Sequence, residues 1–316
     1  MTGDFTVISI VGSTGAGKTA LALNLSKYLP INVISADSRQ VYKYMDIGTA
    51  KPTKEQRNQL THYLVDYVNP DEKYNLNKFI IDSNHYIDKI NRGKNIPIIV
   101  GGTGLYIWAL LDNWSLPDVP PNEKFRASLE NKIINFGPEY IKNTFINKLG
   151  TDFSENYDLK NTRRLIRYLE IINEIGIEKF LKSSKSKNET NIIYGIDFSK
   201  EEQLTIIPER IEKMFKSGWI EEVENLIKNG YNLDHYSMSG IGYKEIYSYL
   251  NNKINYEDMR ELILNRTNSF IKKQRTWFKK SDNRITWVNT IEDNKIIKNI
   301  SEKILNSYDN KVNANN

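Results

Sequence analysis

One eight-residue stretch, Gly12-Ser13-Thr14-Gly15-Ala16-Gly17-Lys18-Thr19, limits the possible folds of this chain more than any other feature. It fits the phosphate-cradling pattern G-x-x-x-x-G-K-[ST], which needs two glycines, a lysine and a hydroxyl at fixed offsets. At average amino-acid usage such a match arises by accident roughly once in a hundred chains of this size. A β-branched apolar run, Val7–Val11, precedes it, and the helix formers Ala20–Leu25 follow. Strand, glycine loop and helix thus stand in the order the chemistry requires. Backbone N–H groups and the positive end of the helix face the phosphate oxygens. Lys18 is expected on the terminal phosphates and the Thr19 hydroxyl on Mg²⁺. Taken alone the loop suggests a nucleotide-binding protein, ATP being the obvious ligand, and leaves the reaction open.

Two further apolar runs, Asn32–Ala36 and Ile96–Val100, read as buried parallel strands beside Thr6–Val11. Each ends at a cluster suited to ligands: Asp37-Ser38 after the second, Gly101-Gly102-Thr103-Gly104 after the third. In an open α/β sheet ligands sit outside the carboxyl ends of the strands, so all three clusters are expected to line one crevice. Ile192–Asp197 and Arg284–Val288 are candidates for further strands. The predicted class is α/β, with a P-loop NTPase-like parallel sheet core flanked by helices.

The core is expected to comprise residues 1–116 and 192–316. Between them, 117–191 reads as a helical insertion domain. It opens at Pro117-Asp118-Val119-Pro120-Pro121 and closes at Ser183–Asn188, both rich in structure breakers. Its interior, about 125–181, shows helical spacing, as in Leu165, Leu169 and Ile172. The alternative is an ordinary stretch of helices within one domain. After residue 200 helices are predicted over Pro208–Lys228, Tyr243–Leu250 and Tyr256–Lys280. The polar last dozen residues are expected to be disordered.

Several function classes are excluded or weakened. The 316 residues include no cysteine, so disulfides and thiolate metal sites are impossible. His62, His85 and His235 lie too far apart for ligand spacing. No run reaches the roughly 18 apolar residues of a membrane span, and no signal-peptide pattern opens the chain, so a cytoplasmic protein is expected. The net charge of +5 permits nucleic-acid binding without requiring it. Ile96–Val100 runs into glycines where a nucleotide-hydrolysing enzyme has a magnesium-binding aspartate. Asn77-Lys78 and Asn147-Lys148 both lack the aspartate of a guanine-reading motif.

Asp37 is the carboxylate best placed to act. Position alone leaves two roles open: a base taking a proton from the acceptor, or a helix-capping or magnesium-binding carboxylate. Arg163, Arg164 and Arg167 fall within about one helical turn, so they can face one anionic surface. Ile263, Phe270 and Trp277, seven apart, suggest the apolar face of a C-terminal helix. Lys272, Arg275 and Lys279 lie roughly opposite, as a solvated or phosphate-binding array.

Asp37–Tyr42 and Met45–Pro52 resemble the signature of bacterial tRNA dimethylallyltransferases. The similarity continues through His62, Gly101–Tyr106 and Arg163–Glu170, and resumes at Gly218, Gly240–Glu245 and Arg266–Phe278. It departs at Thr162-Arg163, where the family often has proline and then a polar or basic residue. It departs again at Gly104, where a larger residue is common. The resemblance implies transfer of a dimethylallyl group from its diphosphate to N6 of the adenosine 3′ of the anticodon, position 37 of the tRNA. It implies a helical insertion that closes on the anticodon stem-loop. Asp37 would deprotonate the amine, assisted by Lys18, Thr19 and Thr103. Asp37, Ser38, Arg39, Gln40, Thr103, Arg126, Arg163, Arg164, Leu165, Ile166 and Arg167 would contact the tRNA. Mg²⁺, held through Thr19, is the expected cofactor and a monomer the expected state. The rival readings are a small-molecule kinase, an adenylate isopentenyltransferase using free nucleotide, and a non-enzymatic RNA-binding protein.

Overall fold

The computed structural model describes residues 7–114, 117, 119–155, 157–182, 191–291 and 293–314. Two compact units form, one from residues 1–111 with 188–316 and one from 112–187. Thr6, Asp118 and the closing segment 183–188 of the expected insertion lie outside the described residues.

The first unit is built on a parallel sheet. In chain order it contains β1 (Ile8–Val11), α1 (Lys18–Leu25), β2 (Ile31–Ser35), α2 (Lys54–Gln59), β3 (His62–Tyr63), α3 (Leu76–Arg92), β4 (Ile96–Gly101) and α4 (Gly104–Leu111). Among the described residues the sheet has six strands, ordered β3-β2-β4-β1-β5-β6, where β5 is Ile192–Ile196 and β6 is Ile285–Val288. Every residue of β1 and β4 is buried. That explains why both read as continuous apolar runs: helices cover both faces of a parallel sheet. Register pairs Ile10 with Val100 on one side and Tyr194 on the other. The chain skips one position between β1 and β2, and β4 later fills it. The reversal of winding at β1 places a crevice at the carboxyl end of the central strands.

The observed strands differ from the expected ones by a residue or so. β2 ends at Ser35, so Asp37 stands two residues past it. The helices after β5 are α10 (Lys200–Lys216), α11 (Trp219–Lys228), α12 (Tyr243–Leu250), α13 (Tyr256–Trp277) and α14 (Asn294–Ala314). The helix expected over Pro208–Lys228 is thus two helices, split at Ser217-Gly218. Its first half starts eight residues earlier, at a capping box. Ser199 Oγ accepts from the Glu202 N–H at 3.0 Å and Glu202 answers to the Ser199 N–H at 2.7 Å. The chain end expected to be disordered continues as α14 to Ala314. The buried stripe of α13 is Met259, Ile263, Ile271 and Gln274, not Ile263, Phe270 and Trp277. Phe270 lies on the same side of the helix as Ile263 but opens into a cavity instead of packed core, which leaves it 38% exposed. No helix among the described residues is long and apolar enough to cross a membrane.

The second unit contains α5 (Glu123–Phe136), α6 (Glu139–Leu149), α7 (Thr151–Ser154), α8 (Thr162–Ile175) and α9 (Ile177–Lys182). Its core gathers Ile141, Phe145, Leu165, Leu169 and Ile172 with partly buried Tyr157 and Tyr168. Asn caps start α5 and α8, and glycines at 137, 150 and 176 end the helices of this unit. In the first unit, Asn191 joins the two points where the chain leaves and returns. Its side chain donates to the Leu111 carbonyl at 2.8 Å and accepts from the Val7 N–H at 3.2 Å.

Candidate active site

The phosphate loop takes its shape from Gly15 and Gly17, whose φ values of +88° and +91° lie where side chains are strained. Among the described residues, the backbone N–H groups of Gly15, Gly17, Lys18, Thr19 and Ala20 have no protein acceptor. Those groups, at the amino end of α1, form a nest for an anion. Lys18 folds back over the loop and donates to the carbonyls of Gly12 at 3.1 Å and Ser13 at 2.8 Å. Burial pulls its ammonium down from 10.5 to about 8; Asp37 pushes it back up and Arg210 lowers it further. Lys18 lines the cavity beside the loop, so an arriving anion would favour its charged form.

A cavity of about 670 Å³ opens beside the loop, and it is formed within the first unit. Thr14, Gly15, Gly17, Lys18 and Thr19 line it, whereas Gly12, Ser13 and Ala16 stand behind as buried support. Asp37, Ser38, Arg39 and Gln40 line the cavity too. Asp37 Oδ1 accepts from the N–H groups of Arg39 at 2.8 Å and Gln40 at 3.3 Å. Oδ2 has no protein partner among the described residues. Oδ1 thus fills the capping role, and Oδ2 makes no hydrogen bond to protein among the described residues.

The rest of this turn is held by other contacts. Thr103 lies behind it rather than on the cavity wall, its Oγ accepting from the Ser38 N–H at 3.1 Å. The Arg39 guanidinium donates to the carbonyls of Tyr236 at 2.7 Å and Ser237 at 3.1 Å, and stacks 4.4 Å over the Tyr236 ring. Gln40 gives its amide hydrogens to the Thr49 and Ala50 carbonyls at 3.3 and 3.1 Å, and its oxygen takes the Ser35 hydroxyl at 3.2 Å. Of the three residues after Asp37, Ser38 has the side chain with no such commitment among the described residues.

Sequence reasoning missed Arg210. It projects from α10 into the cavity between Ile207, Ile211 and Met214, and it makes no protein hydrogen bond or ion pair among the described residues. Burial lowers its pKa while Asp37 raises it, and guanidinium remains charged. A lone arginine inside an apolar helical stripe was the signal that could have exposed it. Arg266, Phe270 and Lys273 of α13 also face the cavity, so that helix contributes more than a solvated basic face. Its Arg275 instead donates to the carbonyls of Phe198 at 2.8 Å and Ser199 at 3.3 Å. Gly104 accommodates the same helix: a Cβ there would come within 2.3 Å of Trp277 Cγ.

In the helical unit, the expected RNA-facing residues separate. Leu165 and Ile166 are 1% and 8% exposed, so their side chains belong to the core of this unit and only their backbone is left for the expected tRNA contact. Arg126 and Arg167 hold the buried Glu170. Arg126 does so through Nε and a guanidinium nitrogen, both at 2.9 Å, and Arg167 also donates to the Val119 carbonyl at 2.7 Å. Arg163 is exposed, and Arg164 pairs loosely with Asp158 at 3.7 Å.

Phosphate loop, unpartnered arginine and clamped carboxylate in one cavity define an α/β enzyme that transfers a group from a phosphate ester. No aspartate ends β4 to equip it for nucleotide hydrolysis. The IPP transferase family model matches residues 40–281, and the chain belongs to that family. A tRNA dimethylallyltransferase of Acetivibrio thermocellus is 36% identical over 93% of this chain and 96% of its own length. The crystal structure of a full-length tRNA isopentenylpyrophosphate transferase from Bacillus halodurans superposes with a TM-score of 0.71. It is 31% identical and covers 98% of this chain and 99% of that one. A eukaryotic dimethylallyltransferase acting on tRNA gives a TM-score of 0.74 at 28% identity, covering 90% of this chain and 73% of that one.

Proposed function

We propose that this chain transfers the dimethylallyl group of dimethylallyl diphosphate to N6 of the adenosine 3′-adjacent to the anticodon, position 37 of the tRNA. The observation that carries this reading is Asp37 Oδ2, open to the cavity that Lys18, Arg210 and the free loop amides also face. The N6–C1 bond forms as the C1–O bond breaks, and the electron pair leaves on the diphosphate. Lys18, Arg210 and the amides of the nest stabilise the charge that grows there. Asp37 accepts the N6 proton, its orientation fixed by the two N–H groups on Oδ1 and by Thr103 holding Ser38. An adenine within a loop must leave its stack to enter a cavity, so the acceptor base is flipped out.

Mg²⁺ suits the donor set: the Thr19 hydroxyl lines the cavity without a protein partner, and hard oxygens are what magnesium takes. Among the described residues no group of three His, Asp or Glu could hold a metal alone. Thr19 and the diphosphate would therefore share the ion, which would neutralise leaving-group charge. Arg163 and Arg164 are the helical unit's candidates for anticodon-stem phosphates, with Arg126 and Arg167 acting by holding α5 and α8 together.

Nucleoside analysis of unmodified tRNA incubated with the protein, Mg²⁺ and dimethylallyl diphosphate tests the proposal. N6-dimethylallyladenosine formed without ATP is the expected result. Prenylation of free AMP in preference to tRNA, or ATP consumption with a small acceptor, would overturn it.

A further inference from the structure

The phosphate loop is held from outside as well as by its own glycines and by Lys18. The Thr14 N–H donates to Gln274 Oε1 at 2.8 Å, across 260 residues of sequence. The same side chain donates through Nε2 to the Gly102 carbonyl at 3.0 Å. Gln274 is 4% exposed. One buried carboxamide therefore joins three segments: the phosphate loop after β1, the glycine turn after β4, and α13. The fit at the turn is close, since a Cβ on Gly102 would lie 2.3 Å from Gln274 Nε2. Arg266, Phe270 and Lys273, which face the cavity, lie on the same helix, eight, four and one residues before Gln274.

We propose that Gln274 is a positioning residue for the donor's diphosphate, an inference that rests on reading the cavity as the diphosphate site. By taking the Thr14 N–H it turns that amide away from the ligand and fixes the loop with the N–H groups of Gly15, Gly17, Lys18 and Thr19 left for the anion. Glutamine suits the place because one planar group must accept from an N–H and donate to a carbonyl at once. A carboxylate would set an acceptor against the Gly102 carbonyl, whereas a neutral carboxylic acid restores both bonds. An aliphatic side chain restores neither. Amides held in place before charge develops stabilise a departing diphosphate without reorganising, so a slackened loop raises the barrier as well as weakening binding. Because Gln274 and the cavity-facing side chains share α13, a shift of that helix would move the phosphate loop with it.

The test uses Gln274→Leu and Gln274→Glu in the full chain, with inorganic diphosphate binding measured by calorimetry beside prenyl transfer. For Gln274→Leu we expect diphosphate affinity to fall about tenfold and kcat about a hundredfold, with tRNA affinity within threefold of the parent. Gln274→Glu should match it at pH 8 and recover towards the parent, measured at the same pH, as the medium is taken to pH 6. Variants that melt earlier yet keep parental diphosphate affinity per folded molecule, with no recovery at low pH, would overturn the proposal. So would lost tRNA binding with diphosphate binding intact. Diphosphate affinity is read without turnover. If the parent binds diphosphate but prenylates no tRNA, the reading of function fails, while weakened diphosphate binding by the variants still supports the positioning role.

Discussion

Replacing Glu170 with glutamine is expected to loosen the helical unit rather than to change a surface. The Glu170 side chain is 2% exposed and is held by Arg126, Arg167 and the Asn122 N–H, the last at 2.6 Å. Burial works to raise its pKa, but the hydrogen bonds from Arg126, Arg167 and Asn122 outweigh that and keep it below the ordinary carboxylate range. Breaking a buried ion pair by removing one partner costs about 3–5 kcal/mol. Arg126 and Arg167 are themselves 30% and 33% exposed, so solvent screens part of the interaction and the expected cost falls to about 2–4 kcal/mol. A unit spanning 112–187 has a total stability of roughly 4–11 kcal/mol. The substitution thus removes a large share and raises the opened population about 30- to 1000-fold. Hydrogen exchange on the whole protein reads this by location: amides of α5 and α8 should lose protection while β1 and β4 keep theirs. Unchanged exchange would refute the assignment of structural work to this cluster. Unchanged exchange together with weakened tRNA binding by Arg126→Ala and Arg167→Ala would return both arginines to the RNA. The sign of the pH effect follows from the lowered pKa. Glu170 stabilises fully above the unfolded carboxyl range and ceases to do so as pH falls through its folded value, so the helical unit should open first in acid.

Asp37→Asn keeps an oxygen to cap the turn but removes the base. Turnover should fall about 10²- to 10⁴-fold with donor affinity little changed, and turnover within twofold of the parent in single-turnover assays would remove Asp37 from that role. Lys18, with its pKa lowered to about 8, should lose its charge in the free enzyme as pH rises through that value. Donor affinity measured by calorimetry should therefore weaken about tenfold between pH 7 and 9. From this group alone the unliganded fold gains stability over the interval above pH 8, because the unfolded chain still binds the proton the folded one has released. Equal donor affinity at pH 7 and pH 9 would contradict the assignment. Arg163→Ala with Arg164→Ala should weaken tRNA binding and reduce its salt slope by about one to two, with thermal stability unchanged. A salt slope identical to the parent's would place the phosphate contacts elsewhere.

The strands were legible because burial on both faces leaves a simple mark, an apolar run ending where ligands bind. The phosphate loop was legible because its chemistry fixes residue types at fixed offsets. Two-residue β3 left no such mark, and its place beside β2 follows from tertiary pairing of Val33 with His62 and Ile34 with Tyr63. The start of α10 was written in Ser199 and Glu202, but Pro208 drew the expected boundary to itself. Arg126 and Arg167 look like surface cations in sequence because their partner Glu170 becomes buried only when α5 and α8 meet. Gln274 was hidden for the same reason, since it acts through Thr14 and Gly102, far along the chain. Arg210 left only a faint local mark, one arginine inside an apolar helical stripe, and the cavity it enters is assembled from distant segments.

The stitch made by Asn191 has a consequence for how this architecture can vary. The chain leaves the sheet unit at Leu111 and re-enters it where one side chain ties that exit to the start of β1. The two ends are thus held together by the sheet unit itself, and the helices between them are not needed as a brace. An insertion made at such a closed gap burdens its host with little beyond loop-closure entropy, which grows only as the logarithm of the inserted length. Lineages could therefore lengthen, trim or exchange the helical segment while β4, β1 and β5 kept their register.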